Sequence, residues 1–106
     1  MSTTNFKELK MADARINHRI SIYYCPLCRW LPRAAWTAQE LLSTFENELF
    51  EVALRPGDQG QFDVYVNDKI ISCRKTDGGF PELKVLKQQI RDLISPDNPL
   101  GHSDAQ

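Results

Sequence analysis

Residues 19–55, RISIYYCPLCRWLPRAAWTAQELLSTFENELFEVALR, contain three hydrophobic runs in succession, of two different periods. In the first, Ile20, Ile22 and Tyr24 alternate with Ser21 and Tyr23, the period of a strand covered on one face. In the second, Ala34, Ala38, Leu41, Leu42 and Phe45 recur at helical spacing, with Gln39, Glu40, Ser43 and Glu46 as the polar face. Pro32 lacks a backbone N–H and suits the first helical turn, and it pushes Leu31 away from helical dihedrals. The spacing therefore predicts a helix from near Leu31 to about Asn47, several residues beyond Cys25. In the third, Phe50, Val52 and Leu54 alternate with Glu51, Ala53 and Arg55 until Pro56-Gly57 ends the run. A strand, a helix and a second strand imply a parallel pair joined by a right-handed crossover.

Downstream, Phe62, Val64 and Val66 alternate up to Asn67-Asp68, a two-residue turn signal, and KIISCR follows as the return strand. A regular hairpin pairs Val66 with Lys69, Val64 with Ile71 and Phe62 with Cys73, which points Cys73 at the core. After Asp77-Gly78-Gly79-Phe80 the chain predicts a last helix opening at Pro81-Glu82, with Leu83, Leu86, Ile90, Leu93 and Ile94 as its stripe and Ser95-Pro96 as its end. The order β-α-β-β-β-α makes a two-layer α/β sandwich, a mixed four-stranded sheet with both helices on one face. The uncovered face would carry Ser21, Tyr23, Tyr65 and Ile70, an apolar surface suited to a homodimer contact.

The chain has 106 residues, enough for one domain that buries roughly 65% of its unfolded surface without metal or disulfide staples. We divide it into a polar N-terminal segment (1–18), the folded domain (19–95) and a tail (96–106). With 42% apolar and 25% charged residues the composition is globular, and a formal net charge of −1 removes the electrostatic case for nucleic acid or an anionic membrane. Three cysteines are too few for a secreted disulfide scaffold, and neither a signal-type apolar core nor a membrane-length apolar run is present, which points to the cytoplasm.

The chemistry concentrates at Cys25-Pro26-Leu27-Cys28, where the first strand gives way to the helix. One thiolate can form a mixed disulfide with a target, and a second sulfur three positions away can resolve it, so the loop is a two-electron couple that needs no bound cofactor. Arg29, Arg33 and the positive end of the helix can stabilise a thiolate. The competing readings are a chance spacing or half of a zinc site. A closed zinc site needs four ligands, and Cys73, His18 and His102 are placed so that a second chain would have to complete it. Cys73 reads as a small core residue, Trp30 as an anchor for the helix, and Arg74, Lys75 and Asp77 as a solvated strand end.

The segments YYCPLCRW, AQELLSTFENEL, EVALRPGDQGQFDVYVNDKIISCRKTDGGFP and LKQQIRDLI together resemble bacterial members of the selenoprotein W-like, or Rdx, family over about residues 19 to 95. The resemblance implies a thioredoxin-like fold and a thiol–disulfide role in cell redox homeostasis, linked to glutathione or thioredoxin, with an undefined protein thiol or disulfide as partner. Cys25 and Cys28 are then the redox pair, with Pro26, Leu27, Arg29, Asp77, Gly78, Gly79 and Phe80 as supporting residues and no metal. In selenocysteine-containing relatives the selenium matches Cys28, which implies that Cys28 attacks and Cys25 resolves. The Asp77–Phe80 turn is expected beside the cysteines, either as a functional wall or as a turn whose glycines admit positive φ. A non-catalytic, redox-gated interaction module is the alternative.

Overall fold

The computed structural model describes residues 17–97, 99 and 100; the N-terminal segment up to residue 16, Asn98 and the tail from 101, with His102, lie outside the described residues. The elements are β1 (His18–Tyr24), α1 (Leu31–Thr44), β2 (Leu49–Pro56), β3 (Phe62–Val66), β4 (Lys69–Cys73), α2 (Arg74–Asp77) and α3 (Leu83–Ile94). They form a four-stranded sheet in the order β2-β1-β3-β4. β1 and β2 run parallel around the α1 crossover, and β3 is antiparallel to both β1 and β4. The sheet is mixed, as the pattern predicts, and its carboxyl edge presents the ends of β1 and β4.

One core lies between sheet and helices. Ile20, Ile22, Tyr24, Phe62, Val64 and Val66 of the sheet meet Ala34, Ala38, Leu41 and Phe45 around α1 and Leu86 and Ile90 of α3, all buried. Both long helices therefore cover one face, tied to each other by a Lys87–Glu40 ion pair at 3.2 Å. Leu42 and Leu93, assigned to the apolar stripes from spacing, sit at their exposed margins. On the other face the rings of Tyr23 and Tyr65 meet edge to face at 5.4 Å, beside Ile70 paired across from Tyr65.

Two bulges change which side chains the core receives. At the start of β2 the pairing jumps from His18↔Leu49 to Arg19↔Glu51, so Leu49 is buried in the place expected of Phe50, which is half-exposed. In the hairpin, Asn67 and Asp68 form the two-residue turn with φ of 55° and 129°, but the ladder slips between Val64 and Tyr65. Val64 then pairs with Ser72 and Asp63 with Cys73, against the regular register. One inserted residue exchanges the two faces. Ser72 turns inward and is buried, while Cys73 is half-exposed on the outer face opposite Asp63 and is no part of the core.

Two further differences follow β4. Residues 74–77 wind into the single turn α2, closed by Gly78 in the left-handed region at φ 85°. The final helix starts at Leu83, not Pro81: Glu82 is still extended and serves as N-cap position, its carbonyl accepting the Leu86 N–H at 2.9 Å. The backbone stays extended before the helix because Phe80 is held in an aromatic cluster under the first loop, and Pro81 disfavours a helical Phe80. α1 ends at Thr44, three residues short of the expected Asn47.

Candidate functional site

Cys25 directly follows β1 and is fully buried; Cys28 is partly exposed; the two sulfurs are bonded, with Cα atoms 5.3 Å apart. The loop between them is a complete local unit. The Arg29 N–H donates to Pro26 O at 3.1 Å and the Trp30 N–H to Cys25 O at 3.4 Å. Those two bonds, with Arg29 at φ 62°, are the Schellman arrangement that normally ends a helix. The cysteine loop is therefore a turn closed on itself over residues 26–29, and α1 starts separately at Leu31. Pro32 stands in its first turn, and its free amide end lies next in sequence to Cys28, not Cys25. Within the turn the Cys28 N–H donates to the Cys25 sulfur at 3.2 Å.

A wall of aromatic rings stands under this turn. Trp30 packs edge to face on Phe80 at 4.8 Å and on Phe62 at 6.4 Å, and Phe62 meets Phe80 at 5.2 Å. Two guanidiniums lie on the rings: Arg33 at 3.9 Å over Phe80, and Arg74 at 4.7 Å over Trp30 and 5.0 Å over Phe80. Such contacts are worth about 0.5–2 kcal/mol each, according to how far the pair is desolvated. Arg74 is thus no solvated strand end. Its Nε is buried without a hydrogen-bond partner, because the side chain runs back over Trp30. Trp30, read as a helix anchor, also ties the loop to β3 and to the 78–80 turn, since its own N–H holds Cys25 O.

The four residues of the Asp77–Phe80 turn have different positions. The Asp77 carboxylate accepts the Cys73 N–H at 3.0 Å and so holds α2 against β4. Gly78 closes α2, with its N–H donated to Arg74 O at 2.9 Å, and a Cβ at Gly79 would meet nothing within 4 Å. Phe80 reaches the loop through Trp30. The ends of β1 and β4 are separated by β3, a span of about 10 Å, so this turn borders the site across the aromatic wall. Arg33 and Leu31 were visible in the sequence as neighbours of the loop, whereas the approach of Arg74 depends on the one-turn helix, for which no periodic signal exists.

Above the turn the surface is apolar. Leu27 is 82% exposed at the tip, and Tyr24, Pro26, Arg29, Leu31 and Pro32 line an open groove of about 530 Å³. No group of three or more His, Cys, Asp or Glu side chains gathers as metal ligands among the described residues. No helix among them is long and apolar enough to cross a membrane.

The comparisons with known proteins agree with this geometry. No curated protein matches the chain. A selenoprotein W-related protein from Vibrio cholerae, solved by crystallography, superposes with a TM-score of 0.72 at 52% identity, over 74% of this chain and 99% of that one. A crystal structure of a Bordetella parapertussis protein gives 0.70 at 58% identity, over 72% and 96%. The fold is the thioredoxin-like one of these relatives. With the Rdx family profile matching residues 19–92 as well, all of the sheet but its first residue, the cysteine turn and most of α3 fall inside the match, and the chain belongs to the Rdx family.

Proposed function

We propose that the protein is a thiol–disulfide redox protein that alternates between the Cys25–Cys28 disulfide and the dithiol. The observation that carries this is the asymmetry of the bonded pair: Cys25 is sealed in the fold, whereas Cys28 is partly exposed. In the reducing direction the Cys28 thiolate attacks a target disulfide and displaces one target thiolate. Cys25 then attacks the Cys28 sulfur, breaks the mixed disulfide and releases the second target thiol. In the reverse direction an external thiolate attacks Cys28, and the Cys28 N–H is already placed to stabilise the departing Cys25 thiolate. No bound cofactor takes part. Glutathione or thioredoxin supplies the electrons, and the setting is redox homeostasis in the cytoplasm.

The test is reduction of a model disulfide, coupled to thioredoxin reductase with thioredoxin or to glutathione, with Cys25→Ser and Cys28→Ser. Loss of turnover in both, with a trapped mixed disulfide on Cys28 in Cys25→Ser, supports the reading. A trap that persists only through Cys25 reverses the order of attack. Partner binding that survives both substitutions, without turnover, supports instead a redox-gated interaction module; stoichiometric zinc in purified protein supports the intersubunit metal site.

A further inference from the structure

The surface around Cys28 carries a signature of the partner. Leu27 is 82% exposed although its turn is held by three backbone-donated bonds, so its exposure is a feature of ordered chain. A single exposed leucine means little. Next to it in sequence, Pro26 lines the groove together with Leu31 and Pro32, all three exposed, with Leu31 at 45%, and with Tyr24. Among the described residues, Arg29 is the one charged residue lining that groove, and no carboxylate lines it. Because Cys25 is sealed, an incoming sulfur meets Cys28, whose sequence neighbours are Leu27 and the groove residue Arg29.

We propose that this groove seats an extended segment of a partner protein whose reactive cysteine is flanked by a bulky apolar side chain, packed against Pro26, Leu31 and Pro32, and by a carboxylate that meets Arg29. The proposal rests on the thiol–disulfide reading above and names the substrate class of that same site. It separates protein thiols from glutathione on chemical grounds: glutathione brings carboxylates to Arg29 but no apolar side chain to the groove. Burying one leucine-sized group is enough to set a preference of roughly tenfold or more.

The experiment uses the full chain, reduced beforehand with dithiothreitol and freed of it, mixed with thionitrobenzoate disulfides of three thiols. These are an acetylated tripeptide with leucine and glutamate flanking cysteine, its glycine-flanked counterpart, and glutathione. Each reaction consumes the protein dithiol and yields the protein disulfide, the free thiol and thionitrobenzoate, so the electrons balance and mass spectrometry follows the release of the peptide thiol. The expected result is release at least roughly tenfold faster from the leucine-glutamate peptide than from the other two. The ratio to the glycine peptide should collapse in Leu31→Ser and fall in Arg29→Gln. Circular dichroism of both variants excludes misfolding as the cause. Equal rates for all three disulfides, or a ratio that survives these substitutions, overturn the proposal while leaving the redox reading intact. No reaction with any disulfide overturns both. A photo-crosslinker at Leu27 that links to residues 1–16 or to a second copy, with no peptide preference, assigns the groove to that occupant and overturns the proposal.

Discussion

The turn at Cys25–Trp30 and the strand end at Cys73 are two places where a thiol lies close to the carboxyl edge of one sheet, and they are built in opposite ways. The first turn is closed by its own backbone, backed by Trp30, Phe62 and Phe80, and supplies a second sulfur at bonding distance. The second lies on an edge strand past a bulge, opposite Asp63 and against Asp77, whose carboxylate takes its N–H. Exposure alone therefore does not mark the reactive thiol, since both Cys28 and Cys73 are partly exposed. What separates them is a partner sulfur held three residues away in a rigid turn, which turns a one-way adduct into a reversible cycle.

The largest expected effect is the sharpest test of that contrast. Cys28→Ser should abolish disulfide turnover, whereas Cys73→Ser should leave the rate within roughly twofold, as for a substitution outside the reacting pair. Equal damage from Cys73→Ser would erase the distinction. In the oxidised native protein, iodoacetamide should label Cys73 alone and to one equivalent. Protection of Cys73 until denaturant is added would restore the regular hairpin register in which it faces the core.

The tertiary support of the turn can be broken separately. Phe80→Ala removes a ring that carries Trp30, Phe62 and both guanidiniums, and should cost about 3 kcal/mol in urea unfolding, the lower end of the range for a large ring, because this one is not wholly buried. It should also speed alkylation of the reduced Cys25, because the wall under the turn is lost. A smaller loss is expected for Gly57→Ala, about 1 kcal/mol: a Cβ there would strike the Gln61 side chain, which accepts the Asp58 N–H at 2.7 Å and donates to Asp63 at 2.8 Å. Smallest, and of opposite sign, Arg29→Gly should raise stability by about 0.5–1 kcal/mol, since glycine adopts φ 62° without the strain that arginine bears. If the same variant also lowers selectivity among peptide disulfides, the arginine is retained at a strained position for recognition.

How far these regions were legible in the sequence follows from the range of the forces that shape them. Pro32 and the spacing of Ala34, Ala38 and Leu41 place α1 correctly and separate it from the cysteine turn, because proline sterics and helical periodicity act within a few residues. The parallel β1–β2 pair follows from crossover length, and Asn67-Asp68 from its tolerance of positive φ. The bulges at Phe50 and Ile71 were not legible. An alternating run reads the same with or without an inserted residue until the far strand and the helices above it choose which register fills the core.

The candidate site divides along the same line. That Cys25 and Cys28 can meet is written in their spacing, and the turn they share is closed by bonds no longer than five residues. That Cys25 is the sealed residue, that Arg74 runs back over Trp30, and that Phe80 rather than Asp77 reaches the loop were decided only when β3 paired with β1 and brought β4 and α2 to its far side. The amino-acid order determines conformations whose energy is settled among near neighbours. Burial and ring stacking join residues some fifty positions apart, so they come into being only with the assembled sheet.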